Sequence, residues 1–363
     1  MREAENSPIY TERLRWWQAL LIPISLLYSG GLGLYLWWRL PRQTRAKGLV
    51  ISVGNLSVGG TGKTPVVIAL CRHLQQRGWK VAVLSRGYGG SMSHHGGVVS
   101  DGERIYATVA QAGDEPLLIA HELPGVVVLV GKDRRRTARK AVEQFGCNVL
   151  VLDDGFQYWQ LHRDVDLVLL NARRPFGNGW TLPAGILREP PAHLRRAAAL
   201  LVEGGRTCHD ELPLRFPDVS CFVWHRVFAG IRPLHDRSCP FDPASLTGKR
   251  VFAMAAIARF DSFQRTLVEE GAEIAGAWKL PDHYRYTPGD VQEVQRRARD
   301  CHAEIIVVTE KDAVKLEQMP VMSLDPPILV LRIEAHFSSG FWRWLEARLR
   351  AASNQLAPTE GAY

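Results

Sequence analysis

The stretch that most restricts this 363-residue chain is residues 48–65, GLVISVGNLSVGGTGKTP. An apolar run leads into a glycine-rich loop, a lysine, a hydroxyl residue and then helix-forming sequence. Glycines let successive backbone N–H groups curl around phosphate oxygens. The lysine reaches the terminal phosphates, the hydroxyl approaches Mg²⁺, and the next helix points its N-terminus at the anion. Gly59, Gly60 and Gly62 supply the curl, Lys63 the charge and Thr64 the metal contact, with Thr61 and Pro65 completing the cradle. The strict pattern places a glycine five residues before Gly62, where this chain has Ser57. The strand before and the helix after keep the phosphate-binding context, which an incidental glycine turn would not require.

A phosphate loop of this kind belongs at the carboxyl end of a parallel strand, and the rest of the chain fits such a sheet. GLVISVG (48–54), KVAVLS (80–85), GVVVLVG (125–131), NVLVLDD (148–154), VDLVLLN (165–171) and AAALLVE (197–203) are short, continuously apolar runs. They alternate with helical sequence at 63–77 and 133–145. Strands buried on both faces read this way. Residues 204–247 are less periodic and richer in Pro, Gly, Cys and aromatics. A second alternating series follows: RVFAMAAI (250–257), EIAGAW (273–278), EIIVVTE (304–310) and ILVLRIE (328–334). The expected fold is α/β: a P-loop NTPase-type parallel sheet domain with helices on both faces, a smaller second α/β domain and an N-terminal membrane-associated helix. The expected boundaries are an anchor segment at 1–47, a nucleotide domain at 48–220, a linker at 221–248, the smaller domain at 249–353 and a frayed tail at 354–363.

The N-terminal expectation rests on residues 16–38, WWQALLIPISLLYSGGLGLYLWW, 23 residues without a charge. Paired tryptophans at both ends suit a membrane interface. Arg39, Arg42, Arg45 and Lys47 follow, as headgroup-binding cations do. Pro23 and the glycines at 30, 31 and 33 weaken a plain spanning helix. A buried soluble helix and a cleaved signal peptide are the alternatives. The leader lacks the basic start and small-residue cleavage site of the latter.

The formal charge of +8, from 45 basic and 37 acidic residues, suits an anionic partner without choosing one. The six cysteines form no CxxC and read as reduced, mostly buried thiols. Asp153 and Asp154 end the strand expected beside the phosphate loop, where a P-loop enzyme holds its magnesium shell. Thr309-Glu310-Lys311-Asp312 resembles a guanine-reading loop, but its lysine is one place late, which argues for a different loop and against GTP.

Further motifs stand where strands end: LSRGYGG (84–90), AGDEPLLIA (112–120), DDGFQ (153–157), FGNGWTLPAGILREP (176–190), PDHY (281–284) and TEKDAVKL (309–316). With VGNLSVGGTGKTP and the apolar N-terminus, this series resembles the tetraacyldisaccharide 4′-kinase family, the lipid A 4′-kinases of Gram-negative bacteria. The resemblance spans residues 16 to 316. It implies two α/β domains facing across a cleft. ATP with Mg²⁺ would donate its γ-phosphate to the 4′-hydroxyl of an acylated glucosamine disaccharide 1-phosphate, making lipid IV-A at the cytoplasmic face of the inner membrane. No nucleic acid or obligatory protein partner is implied. By the same resemblance Asp114 is the general base and His283 its partner. The metal group is Thr64, Asp153 and Asp154. Gln157, Arg134, Arg188 and Glu189 join the phosphate loop as cofactor-binding residues. Because Asp114 and His283 lie in different expected domains, domain closure is expected to assemble the pair. Three positions depart from the family pattern: Ile186 replaces a usual proline, Ala256 a usual glycine, and Arg259-Phe260 a usual x-Pro. These bear on loop geometry and leave the phosphate chemistry intact. The competing reading is a membrane-surface P-loop switch ATPase acting through protein partners. Such switches usually carry an extra lysine early in the loop, and Ser57 and Val58 stand there instead.

Overall fold

A computed structural model describes residues 16–60, 62–172, 174–204, 211–242, 246–319 and 324–356. Within them the strands are β1 (Leu49–Asn55), β2 (Val81–Ser85), β3 (Gly97–Ser100), β4 (Val127–Val130), β5 (Val149–Asp153), β6 (Val165–Asn171), β7 (Ala199–Glu203), β8 (Ser220–Pro233), β9 (Arg250–Ala255), β10 (Glu273–Lys279), β11 (Ile305–Thr309) and β12 (Ile328–Phe337). They form one sheet in the order β10-β9-β11-β12-β8-β7-β6-β1-β5-β2-β4-β3. Neighbours run parallel except for β3 against β4 at one edge and β8 against β12 within the sheet.

β1 is the centre of the first lobe, and all of its residues are buried. Its side chains alternate between two cores, as a strand covered on both faces requires. Leu49, Ile51 and Val53 pack with Val67, Leu70 and Leu74 of the Lys63–Gln76 helix on one face. Val50 packs with Ala82, Leu129 and Leu150 on the other. The second lobe is built on β9–β12, with its own cores around Met254 and Val308 and around Val251 and Val307.

The stretch expected as a linker, 221–248, begins inside the 14-residue β8. β8 pairs in parallel with β7 through Ser220–Trp224, then antiparallel with β12 through Trp224–Pro233. The two lobes therefore share one sheet. Alternation is weak in β8 because most of its residues are only half-buried. The Ser339–Leu356 helix begins within 249–353, runs past that boundary and returns to the first lobe, where Phe341, Leu345 and Leu349 complete the core over β1.

The apolar N-terminus forms a short turn at Trp16–Ala19 and a helix at Ile22–Arg39. Pro23 sits in the first turn of that helix, where no hydrogen bond is lost. Ser25, Leu32 and Leu36 face the body, while Leu27, Leu34 and Trp37 are 77%, 68% and 76% exposed. Among the described residues no helix is long and apolar enough to cross a membrane. The tail beyond residue 356 lies outside the described residues, as does Cys208. The other five cysteines are free thiols.

Candidate active site

The sheet register brings the phosphate loop and the acidic pair together. Val53 of β1 pairs with Asp153, the last residue of β5, so the acidic pair lies beside the end of β1 that leads into the loop. Gly54 is needed there, because a Cβ on it would lie 2.6 Å from the Phe156 Cβ. The loop then passes through Gly59 (φ 104°) and Gly62 (φ 75°), conformations that disfavour any side chain. Gly62 also packs against Trp224 and Arg226 of β8, which a Cβ would meet at 3.0 and 2.7 Å. Lys63 opens the helix, and its Nζ lies 3.2 Å from Asn55 Oδ1 and 3.3 Å from Asp154 Oδ1. Thr64 and Pro65 line the same cleft. Thr61 lies outside the described residues.

Asp153 and Asp154 occupy different environments. Asp153 is buried; its Oδ2 accepts from Ser85 Oγ at 3.1 Å, while its Oδ1 has no hydrogen-bond partner among the described residues. Burial, with Glu115 and Asp154 nearby, pushes its carboxyl up to about 6. An acceptor oxygen left bare in that way suits a hard cation. Asp154 adopts φ 54°, strain of about 1–3 kcal/mol for a non-glycine residue. Burial raises its carboxyl, but Lys63 and Arg188 outweigh that and hold it below the usual range. Arg188 donates to both Asp154 oxygens, at 3.1 and 2.9 Å, and to Gln157 Oε1 at 3.1 Å. Arg134 is buried behind the strand end; it donates to the Asp153 carbonyl at 2.9 Å and lies over the Tyr158 ring.

Glu189 stands apart from the other expected cofactor-binding residues. It is 0% exposed and does not line the cleft. Its carboxylate takes Gln157 Nε2 at 3.0 Å, the His193 ring at 2.9 Å and Arg196 Nη2 at 2.8 Å. It braces Gln157, which in turn braces Arg188.

Asp114 heads the Asp114–Glu122 helix and is 5% exposed. It is placed by Gly113 (φ 88°), where a Cβ would lie 2.5 Å from the Tyr88 carbonyl. The loop of residues 86–90 therefore packs directly on it. Asp114 Oδ2 meets His283 Nδ1 at 3.0 Å, across 169 residues of sequence. His283 has φ 60° and its ring lies 5.3 Å from that of Tyr88. The hydrogen bond to Asp114 raises the imidazole, while burial opposes it. Burial raises the Asp114 carboxyl, but His283, Lys311 and Lys315 together hold it well below the usual carboxylate range.

These groups face one cleft of about 820 Å³ between the lobes. Of the expected site residues, the phosphate loop, Asp153, Asp154, Gln157, Arg134, Arg188, Asp114 and His283 all line it. Sequence reasoning missed four contributors. Lys311 lies 3.1 Å from Glu115 and 3.4 Å from Asp282. Arg226 of β8 and Arg259 both pair with Glu203, at 3.0 and 2.8 Å. Tyr28 of the N-terminal helix lines the cleft and donates to the Arg188 carbonyl at 2.7 Å. The TEKD loop carried the first signal, with its lysine displaced from the guanine-reading position. Among the described residues no three or more His, Cys, Asp or Glu side chains form a metal cage. A Mg²⁺ held chiefly by phosphates and water needs only one or two carboxylates.

A profile of the tetraacyldisaccharide-1-P 4′-kinase family matches residues 17–350. The chain is 43% identical over 333 residues to the tetraacyldisaccharide 4′-kinase of Syntrophus aciditrophicus, covering 87% of this chain and 88% of that one. It is also 43% identical over 305 residues to that of Pelobacter propionicus, covering 82% and 83%. A crystal structure of LpxK from Aquifex aeolicus in complex with ATP superimposes with a TM-score of 0.74 at 29% identity, covering 92% of this chain and 99% of that one.

Proposed function

Because the chain belongs to the tetraacyldisaccharide-1-P 4′-kinase family, we propose that its cleft transfers the γ-phosphate of ATP to the 4′-hydroxyl of a tetraacyldisaccharide 1-phosphate lipid, giving lipid IV-A. The observation that carries this reading is the shared cleft. A phosphate loop lines one side, and the pair of buried Asp114 and half-buried His283 faces into the same space.

Phosphoryl transfer asks a protein chiefly for positioning and charge neutralisation. The glycine loop, Lys63 and the N-terminus of its helix hold the phosphates. Asp153 and Thr64 would hold Mg²⁺, with Asp154 beside them, and the bare Asp153 Oδ1 supports that assignment. When bound, the metal would supply positive charge that offsets the nucleotide phosphates. Arg188, steadied by Gln157 and Glu189, keeps Asp154 in place and adds positive charge to the same wall. Arg134 fixes the Asp153 backbone from behind. A sugar hydroxyl is a poor nucleophile, so a carboxylate must orient it and take its proton as the new P–O bond forms. Asp114 does this, and His283 keeps the carboxylate aimed and offsets its charge.

The lipid acceptor accounts for the N-terminal helix. We assign it to the membrane interface at the cytoplasmic face of the inner membrane, lying along the bilayer rather than through it. Leu27, Leu34 and Trp37 then leave water, and Arg39, Arg42, Arg45 and Lys47 meet anionic headgroups. Tyr28 links this helix to the cleft mouth, so an acylated substrate reaches the site without leaving the lipid. The test is transfer of label from γ-labelled ATP to the disaccharide 1-phosphate lipid, resolved by thin-layer chromatography. Wild type labels the lipid, and Asp114→Asn binds ATP but transfers no label. Absence of labelled lipid from ATP-binding wild-type protein overturns the reading.

A further inference from the structure

Asp114 belongs to the first lobe, yet the cations around it come from the second. His283 stands at 3.0 Å, Lys315 Nζ at 3.2 Å and Lys311 Nζ at 3.9 Å from its Oδ2. The two lysines are four residues apart on the Glu310–Leu316 helix, so they share one face. They are not equivalent. Lys311 is divided among Asp114, Glu115 and Asp282. Lys315 is buried, lies 5.9 Å from the Tyr286 ring, and its ammonium makes no hydrogen bond among the described residues, only the ion pair with Asp114. Its ion-pair contact is with Asp114, and its charge also acts on the buried Asp312 of the same helix.

The helix beneath it is fixed. Asp312 is 0% exposed and accepts from the Ala256 amide at 3.2 Å, Tyr286 Oη at 3.0 Å and Thr309 Oγ1 at 2.6 Å. The base of Lys315 is therefore held to the second lobe and moves with it. A buried ammonium is a poor choice for packing alone, since an apolar side chain of similar volume fills such a position without the desolvation cost.

We propose that Lys315 is a positioning residue for phosphoryl transfer, holding the Asp114 carboxylate ionised and aimed into the cleft when the lobes are together. This rests on the reading of Asp114 as the group that receives the acceptor hydroxyl. A carboxylate among cations is a weak base in the resting enzyme. That suits a loose transition state, in which the hydroxyl proton is shed late and orientation matters more than basicity.

The test uses the full-length protein in detergent–lipid mixed micelles. Lys315→Met, which keeps volume and removes charge, lowers kcat by at least about tenfold while KM for ATP stays within about twofold. Lys315→Arg, or methylammonium added to Lys315→Ala, restores much of the lost turnover. A purely structural role would not respond to charge supplied in trans. Wild-type kcat in Lys315→Met overturns the inference, as does a loss that neither replacement cation repairs. ATP-dependent thermal shifts identify folded variants, and if Lys315→Met fails to fold, the Arg and Ala variants carry the test. Asp114→Asn separates the two claims. Retained turnover in it removes the base reading itself, whereas an inactive Asp114→Asn beside a fully active Lys315→Met removes only the role of Lys315.

Discussion

Replacing His283 with alanine tests how the two halves of the cleft divide the work. In the structure His283 touches Asp114 but none of the groups assigned to phosphate. Lys63, Asp154 and Arg188 form their own network on the opposite wall. The loss should therefore fall on turnover and leave ATP binding alone. Positioned acid–base partners contribute about 10²–10⁴-fold, which is about 2.7–5.4 kcal/mol of barrier at 1.36 kcal/mol per decade. Asp114 keeps Lys311 and Lys315 in the variant and stays ionised, so the loss reflects orientation and charge offset. The hydrogen bond to Asp114 raises the imidazole above its ordinary value. A raised histidine stabilises the folded protein fully below its unfolded pKa, and that contribution disappears as pH rises through the folded one. The melting temperatures of wild type and His283→Ala should thus differ more at pH 6 than at pH 9. Initial rates of lipid labelling with varied ATP, alongside thermal melts at the two pH values, measure both. A kcat within about threefold of wild type, or an ATP KM that rises as far as kcat falls, would refute the reasoning.

Asp153→Asn should raise the Mg²⁺ concentration for half-maximal rate by at least about tenfold, read from Mg²⁺ titrations at saturating ATP. Because the Asp153 carboxyl is pushed up to about 6, the ligand-free protein should lose stability as pH rises through that value, and Mg²⁺ with ATP should restore it. Glu189→Ala leaves Arg196, His193 and Gln157 without their common acceptor, a cost of about 3–5 kcal/mol. For 363 residues with about 2.1 cal/mol/K of unfolding entropy each, Tm falls by about 4–7 °C; an unchanged Tm with lost turnover would instead put Glu189 in contact with the reacting groups. Replacing Leu27, Leu34 and Trp37 with serine removes about 1.5–3 kcal/mol of burial per site and should weaken binding to anionic vesicles by at least about a hundredfold, measured by co-sedimentation.

The division between sequence and structure follows the range of each interaction. The phosphate loop, its strand and its helix are contiguous, and their periods and glycines identify them without tertiary information. Asp153 and Asp154 are also legible, because an apolar strand ending in acids beside a phosphate loop has few other uses. Family motifs pointed to Asp114 and His283. Spacing could not join them, since only the antiparallel pairing of β8 with β12 brings the second lobe back across 169 residues to within 3.0 Å. Glu189 lay in the same motif as Arg188, yet the chain bends through the two residues and sends them to different surroundings. One faces the cleft and the other a buried cluster. Lys315 carried no sequence signal of its own, because a lysine in a helix reads as solvated until the structure shows what it is buried against. The chain order thus determined which lobe binds phosphate. The shared sheet decided which residues of the other lobe reach it, because through-space contacts between lobes depend on packing that no local pattern encodes.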